Sequence, residues 1–218
     1  MPSTLKSGPL LLVLAALGVA TLGGIAPAGA QAPAVGTVEA LVGTAMVTRF
    51  DASAPRALAV GAELFEGDRI RTEAGARLRL RLLDGSMLTC GEATDLTLDW
   101  VLYAPEQDTR SVLLRVPLGI VRAVVELLVP HSTVEMHTAT AVISARGTEW
   151  IAEAQPAATA IVALEGEVAV QNVDPAVRGA VTLGPGEGVT VEPGVPPPAP
   201  TVWGDARRNA FIARTTVP

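Results

Sequence analysis

Apolar residues recur at every second position through most of this chain from Gly36 onward, and this alternation restricts its fold more than any other feature. The clearest examples are Leu78, Leu80 and Leu82 among arginines, Leu96 and Leu98 among polar residues, and the pairs Val168, Val170 and Val189, Val191. Side chains of a β-strand point alternately to its two faces, so a period of two indicates strands buried on one face. The chain is therefore predicted to form β-structure around an apolar interior.

Glycines and Asp-Gly pairs interrupt the alternation at short intervals and predict turns. They stand at Gly43, Gly61, Gly67-Asp68, Gly75, Asp84-Gly85, Gly91, Gly119, Gly147, Gly166, Gly179 and Gly184-Pro185-Gly186. Many short strands separated by turns indicate an all-β sandwich, barrel or solenoid. We predict an all-β fold, either a β-solenoid or a jelly-roll-like stack of short strands, with a short helix or tail at the C-terminus.

Two stretches near the ends of the alternating region read as copies of one strand-glycine-strand unit. Residues 38–47 align with residues 161–170, with Ala-Leu-x-Gly in register. Repetition of such a unit fits the coils of a solenoid. Chance similarity in a chain rich in Val, Ala and Gly is the alternative.

Two further positions predict changes of chain direction. A two-residue hairpin at Asp84-Gly85 would pair Leu83 with Ser86 and move the apolar positions from even to odd numbers. The apolar positions stay even, so this turn is predicted to be a corner or to carry a bulge. Residues 112–129 are apolar almost throughout, and their β-branched content favours strands, with Gly119 as a corner, over a helix.

The first 30 residues have the composition of a signal peptide. Lys6 precedes an almost uncharged run over residues 9–22, and Ala28-Gly29-Ala30 gives a small-x-small cleavage pattern. We predict cleavage before Gln31, which places the mature chain in the periplasm or outside the cell without a membrane span. The alternative is an uncleaved anchor, because about 20 apolar residues cross a bilayer and residues 9–30 can be stretched to that length.

The composition changes again after Val191, where a proline-rich segment begins. It predicts a stiff, extended linker over residues 193–202 that follows a β domain spanning residues 36–192. Beyond the linker, Asp205 is expected to cap a short helix that runs to Arg214. A frayed tail is the alternative for residues 203–218.

Charge and cysteine content restrict partners and stabilising interactions. Removal of the segment that holds Lys6, the only lysine, changes the formal net charge from −6 to −7. An acidic chain is not expected to bind nucleic acid, since it has no basic excess to neutralise phosphates. Cys90 is the only cysteine, so no disulfide can form within the chain, and its place in the alternation predicts a buried thiol. Edge strands of an open stack would allow self-association.

Three stretches, taken together, resemble the FecR domain. The first runs from Val60 to Ser86, the second is Ser144-Ala145-Arg146-Gly147-Thr148-Glu149-Trp150, similar to the Arg-Gly-Thr strand of that family, and the third runs from Ala163 to Val170 and leads to Leu183–Glu187. The resemblance covers residues 36–191. The positions that carry it, all taken as structural, are Gly61, Gly67, Asp68, Thr72, Asp84, Gly85, Ser86, Arg146, Gly147, Thr148 and Gly166.

The resemblance implies a periplasmic β-rich domain. In the family's named member, this domain belongs to an anti-sigma regulator that receives a signal from an outer-membrane siderophore receptor and carries a sigma-binding segment and a transmembrane helix before the periplasmic part. Here the predicted signal peptide directly precedes the domain. We therefore expect an exported module with a non-catalytic binding or scaffold role, contacting an envelope protein or polymer. The alternative is the sensory part of a FecR-type anti-sigma regulator, with the N-terminal segment retained as an anchor.

A row of arginines is the candidate partner-binding surface. Its members stand at odd positions of two strands expected to be neighbours: Arg69, Arg71, Arg77, Arg79 and Arg81. Guanidinium groups in such a stripe can bind an acidic polymer or protein surface through bidentate contacts. The alternative is a solvated face on which these arginines pair with nearby carboxylates, those of Glu63, Glu66, Asp68 and Glu73.

No catalytic motif stands out. The sequence contains no Gly-x-Ser-x-Gly, Cys-x-x-Cys, Walker or His-Glu-x-x-His pattern, so we predict no enzymatic activity and no cofactor. His131, Glu135 and His137 would face the same way on one strand, but three spaced candidates without a fourth make a poor metal site, and none is predicted. Arg146, beside Gly147, is expected to bond carbonyls or carboxylates inside the domain.

Overall fold

The computed structural model of this protein describes residue 1, residues 32–104, residue 106, residues 109–126 and residues 131–218. The predicted signal peptide and its cleavage site lie outside these residues. Residues 32–218 belong to one compact unit. Within the described ranges, no helix has the length and apolar character needed to span a bilayer.

The described residues form seventeen strands and one helix. The first nine strands are β1 (Gly36–Val42), β2 (Ala45–Thr48), β3 (Arg56–Ala57), β4 (Glu63–Leu64), β5 (Arg69–Thr72), β6 (Arg77–Leu82), β7 (Met87–Cys90), β8 (Asp95–Ala104) and β9 (Thr109–Val124). The remaining elements are β10 (His131–His137), β11 (Ala141–Ala145), β12 (Glu149–Gln155), β13 (Ala158–Glu165), β14 (Val168–Asn172), β15 (Ala180–Leu183), β16 (Glu187–Val191), β17 (Thr201–Val202) and the helix α1 (Asp205–Arg214).

The strands form one continuous, open sheet that is organised as two ladders sharing β9. Ladder A runs in the order β4, β1, β6, β7, β9, β12, β13, β16, β17. Ladder B runs in the order β3, β2, β5, β8, β9, β10, β11, β14, β15. Neighbouring strands are antiparallel except β9 and β10, which are parallel. The predicted all-β stack of short strands with a C-terminal helix is confirmed.

The two similar sequence units have the same structural role. In each, a strand of ladder A is followed by a glycine and then by a strand of ladder B: β1, Gly43 and β2 in the first unit, and β13, Gly166 and β14 in the second. The repeat is therefore a corner at which the chain passes from one ladder to the other.

Strand β9 changes ladder in its middle, at Gly119. Residues before Gly119 pair with β8 and β10 in ladder B, and residues after it pair with β7 and β12 in ladder A. Gly119 has a φ of +107°, and a Cβ there would lie 2.3 Å from the Cα of Thr94. The Thr94 Oγ1 accepts the N–H of Ile120 at 3.1 Å, which fixes the chain beyond the bend. The predicted corner at Gly119 is confirmed.

The Asp84-Gly85 turn joins two antiparallel neighbours of ladder A, so the corner alternative is wrong. The Leu82 N–H donates to the Ser86 carbonyl at 2.9 Å, which leaves Leu83, Asp84 and Gly85 as a three-residue loop. Arg81 then pairs with Met87. The extra loop residue keeps even positions on the same face of both strands, as the sequence pattern requires.

Alternate side chains from both ladders meet in one apolar interior. The buried even positions include Leu78, Leu80, Leu82, Leu88, Leu96, Leu98, Val168 and Val170. Cys90 joins them as a fully buried thiol, and burial raises its pKa to about 12. Such a thiol is neutral and unreactive at physiological pH.

Packing continues beyond the proline-rich segment. Strand β17 pairs with β16, and Trp203 and Phe211 are both buried. The N-cap of α1 is Gly204, and no side chain caps it, so the expectation that Asp205 is the cap is wrong. Asp205 occupies the first helical turn, where it forms an ion pair with Arg208. A carboxylate there is stabilised by the helix dipole.

We predict that Gly119→Ala lowers the free energy of unfolding by about 3 kcal/mol, because it adds a clash with the backbone of Thr94 to the strain of a positive φ. Gly61→Ala is the matched control, since Gly61 has a φ of +84° and a Cβ added there would have no atom within 4 Å. That control should lose about 1 kcal/mol. Chemical denaturation measures both, and equal losses would contradict the role given to Gly119.

Candidate binding surfaces

The structure does not bring the five candidate arginines into one stripe. Arg69 and Arg71 lie on β5 in ladder B, whereas the other three lie on β6 in ladder A. The inward residues Ile70 and Leu80 of these strands share one core. The arginines of the two strands therefore point away from that core on different ladders, and the expectation that the strands are neighbours in the sheet is wrong.

On ladder B, Arg69 and Arg71 share the carboxylate of Asp95. The Arg69 Nη2 lies 2.6 Å from one carboxylate oxygen and its Nε lies 2.8 Å from the other. The Arg71 Nε donates to the same group at 3.1 Å. Burial alone would raise the pKa of Asp95, but the hydrogen bonds and charges of the two arginines outweigh it and lower that pKa. These guanidinium groups are paired within the domain, although not with the carboxylates expected from the sequence.

On ladder A, two of the three arginines also have partners within the chain. Arg81 donates to Glu39 at 2.5 Å, and Arg79 donates to the carbonyl of Val217 at 3.2 Å. Arg77 makes no hydrogen bond or ion pair within the described residues. The set therefore resembles the solvated, paired face more than a free cationic stripe.

The motif residue Asp68 holds the loop before β5. It is fully buried, accepts the Phe65 N–H at 2.9 Å and pairs with Arg49 at 2.7 Å. The Arg49 guanidinium also lies 4.2 Å from the centre of the Phe65 ring. Desolvation by burial raises the pKa of Asp68, despite the opposing hydrogen bond and positive charge. The Asp68 Oδ2 is thus bonded inside the domain, to the backbone of its own loop and to Arg49.

A second motif group closes the β6–β7 loop around a buried ion pair. Asp84 accepts the backbone N–H of Ser86 at 3.0 Å and its hydroxyl at 2.7 Å. The Nη1 of Arg110 lies 3.0 Å from the same carboxylate and donates to the Glu126 carbonyl at 2.8 Å. Both charged side chains are fully buried. Removing one member of such a pair leaves an uncompensated buried charge, which is strongly destabilising. The group therefore has a structural role.

Sequence reasoning missed Arg110, although its position carried a signal. It is a charged residue at an even position, immediately before an apolar stretch whose even positions point inward. The even number of this position alone therefore predicts that Arg110 points into the interior, where an arginine needs a carboxylate partner. What the sequence did not show is that Asp84, from a loop of the other ladder, supplies it.

The Arg-Gly-Thr stretch differs from its expected role. Arg146 is exposed and makes no hydrogen bond or ion pair within the described residues, so the expectation of an inward guanidinium is wrong. Thr148 is buried instead. Its Cγ2 would lie 2.7 Å from a Cβ at Gly166. Close contact between Thr148 and the Gly166 corner is thus the structural contribution of this motif.

The histidine group gives no basis for a metal site. Glu135 and His137 contact each other on β10 and are partly exposed. The side chain of His131 lies outside the described residues. Among the side chains that the structure describes, no three His, Cys, Asp or Glu residues are grouped to hold a metal ion.

An exposed apolar surface on ladder B is the feature that sequence reasoning did not find. Trp100 is 46% exposed and Leu102 is 39% exposed, whereas Trp150 and Trp203 are buried. Trp100 lies opposite the half-buried Leu113 of β9. We call Trp100, Leu102 and Leu113 the Trp100 surface. Exposed apolar side chains that are grouped on one face form a candidate binding site.

A β-bulge produces this exposure. The pairing of β8 with β9 shifts by one residue between Leu98 and Trp100. Leu98 points inward, and without the shift Trp100 would do so too. The extra residue turns Trp100 outward and puts Val101 inside. An ion pair between Asp99 and Arg115, at 2.8 Å, lies beside the apolar residues.

Comparisons with known proteins agree with the fold and with the sequence resemblance. Residues 68–169 match the family described as FecR protein. Two solved structures of a candidate anti-sigma factor from Parabacteroides distasonis ATCC 8503 have TM-scores of 0.53 and 0.52, each at 16% identity and over 66% of this chain. The matches span 64% and 63% of the lengths of those chains. No curated protein matches the sequence.

Proposed function

We propose that this chain, which carries a FecR domain over residues 68–169, is a non-catalytic protein-binding module that is exported to the periplasm or secreted. The Trp100 surface is its contact site for a protein of the cell envelope. The observation that carries the proposal is the outward position of Trp100 beside Leu102. Tryptophan, with tyrosine and arginine, is enriched among the residues that dominate binding energy at protein interfaces.

The chemistry of the surroundings supports binding to a folded protein surface. The apolar centre has charged neighbours on β9 and β10, namely Arg115, paired with Asp99, and Glu135, paired with His137. Because Asp99 and Arg115 form an ion pair and Glu135 is hydrogen-bonded to His137, these groups add polar character without demanding a strongly charged partner. An apolar centre with a polar rim is the usual arrangement of a protein interface.

The arrangement of the motif carboxylates supports a binding role over a catalytic one. Asp68 accepts hydrogen bonds from Arg49 and the backbone, and Asp84 accepts them from Ser86 and lies against Arg110. A general acid or base must reach a substrate proton directly or through one water. These carboxylates instead hold the loops that position the strands.

The proposal is tested by placing a photo-crosslinking residue at Ser111, which lies opposite Leu102, and, as a matched control, at the exposed Arg178 in the β14–β15 loop. Irradiation of producing cells should join a protein to position 111 and not to position 178. With the captured protein purified, Trp100→Ala should weaken its affinity about tenfold or more, because an aromatic anchor is lost. Identical products at both positions, or an unchanged affinity of Trp100→Ala, would contradict the proposal.

A second candidate function is the sensory part of a FecR-type anti-sigma regulator, favoured by the FecR match and by the structural likeness to a candidate anti-sigma factor. The two functions differ in the fate of the N-terminal segment. Mass spectrometry of the chain from producing cells should find Gln31 at the mature terminus if the module is exported and released. Retention of residues 1–30 would favour the anchored, sensory alternative.

A further inference from the structure

A second apolar cluster lies on the outer face of ladder A, separate from the interior. It contains Ile120 of β9, Ile151 of β12 and Val162 of β13, all fully buried. Ile151 lies directly between Arg122 and Val162 in the sheet. Its neighbours along β12, Trp150 and Ala152, belong to the main core and therefore point to the other face.

The C-terminal segment covers this cluster. Trp203 and Phe211 pack on it and contact each other edge to face, with ring centres 5.2 Å apart. Gly188 of β16 makes room for the indole, since a Cβ there would lie 2.3 Å from the Trp203 ring. We call this outer face, with Ile120, Ile151, Val162 and Gly188, the C-terminal groove.

Polar contacts fix the direction in which the segment lies. The Arg214 Nη2 donates to Glu153 of β12 at 2.8 Å, and this bond raises the pKa of Arg214. Further along, Val217 is buried and its carbonyl accepts from Arg79. Residues 201–217 are thus held on ladder A in three ways. Their aromatic rings pack on the apolar cluster, Arg214 pairs with Glu153, and the Val217 carbonyl accepts a hydrogen bond from Arg79.

The connection between β16 and β17 allows the C-terminal segment to separate from its own groove. Residues 193–200 contain five of the chain's prolines and join β16 to β17 without forming a helix or strand. Asn172 holds the beginning of the connection through the carbonyls of Glu192 and Val195. Beyond Val195, the five remaining residues at about 3.1 Å each span about 16 Å when extended. This is close to the radius of gyration of about 16 Å expected for a domain of this size, so the segment reaches the groove of a second copy only where that copy lies against the first.

We propose that the C-terminal groove binds residues 201–217 of a second copy of this chain, in exchange for its own, and so forms a swapped dimer. The same contacts form in both arrangements, so exchange loses no packing or ion pairs. The difference lies in the conformation of residues 193–200 and in the entropy of association. Because the groove is on ladder A and the Trp100 surface is on ladder B, the dimer presents two Trp100 surfaces and binds a multivalent partner with higher avidity.

The experiment uses full-length chains with cysteines at the two ends of the Arg214 contact. Glu153→Cys and Arg214→Cys are purified separately, mixed at high concentration, incubated to allow exchange and treated with a short bis-maleimide. Native Cys90 does not interfere, because it is fully buried. Arg178→Cys mixed with Glu153→Cys is the control, since Arg178 is exposed and belongs to the β14–β15 loop.

The proposal predicts a covalent dimer from the Glu153→Cys and Arg214→Cys mixture, at least about tenfold more abundant than from the control mixture. Light scattering of the unmodified protein should show a dimer that increases with concentration. The double variant, with both cysteines in one chain, reports the unexchanged arrangement by crosslinking within the chain. A double variant that yields only this internal product, with no dimer from the mixture, would overturn the proposal. Capture of a different protein by Arg214→Cys in cell extract would overturn it too, in favour of a partner.

Discussion

The structure depends on β9, the one strand of the described residues that belongs to both ladders. Its first part completes ladder B and its last part completes ladder A, and the bend between them occurs at Gly119 against Thr94. The inward positions change at the bend from even to odd, because Val116 lies inside before it and Val121 after it. This change explains why residues 112–129 show no clean alternation. Because β9 is shared in this way, the two ladders enclose a single interior. Unfolding of one ladder therefore disturbs the other.

The sequence was sufficient to predict the fold class because, in most strands, every second side chain points into the interior. Leu78, Leu80 and Leu82 are inside, as their spacing predicts, and the glycine corners lie where the alternation breaks. The alternation predicts the wrong face where a β-bulge adds one residue to a strand. The bulge after Leu98 turns Trp100 outward, and no local sequence pattern indicates this bulge. The arginine stripe failed for a different reason. Spacing along β5 and β6 fixes the face of each strand, but not the ladder that each one joins.

The outer faces of the two ladders differ in how far their apolar side chains are exposed. On ladder A, the chain covers its own apolar cluster with Trp203 and Phe211. On ladder B, Trp100 and Leu102 remain exposed. Ladder A therefore has an apolar outer surface that the C-terminal segment covers, whereas ladder B has one that is exposed. Asp68, Asp84 and Thr148, which carry the resemblance to the FecR domain, belong to neither surface, because they stabilise loops and corners.

The central claim, that β9 joins both ladders into one cooperative unit, is tested most directly by native-state amide hydrogen exchange along this strand. Amides in residues 112–116 and in residues 121–124 should exchange with the same opening free energy, equal to that of global unfolding, and respond equally to denaturant. Exchange of one half through a separate opening of lower free energy, while the other half stays protected, would contradict the account.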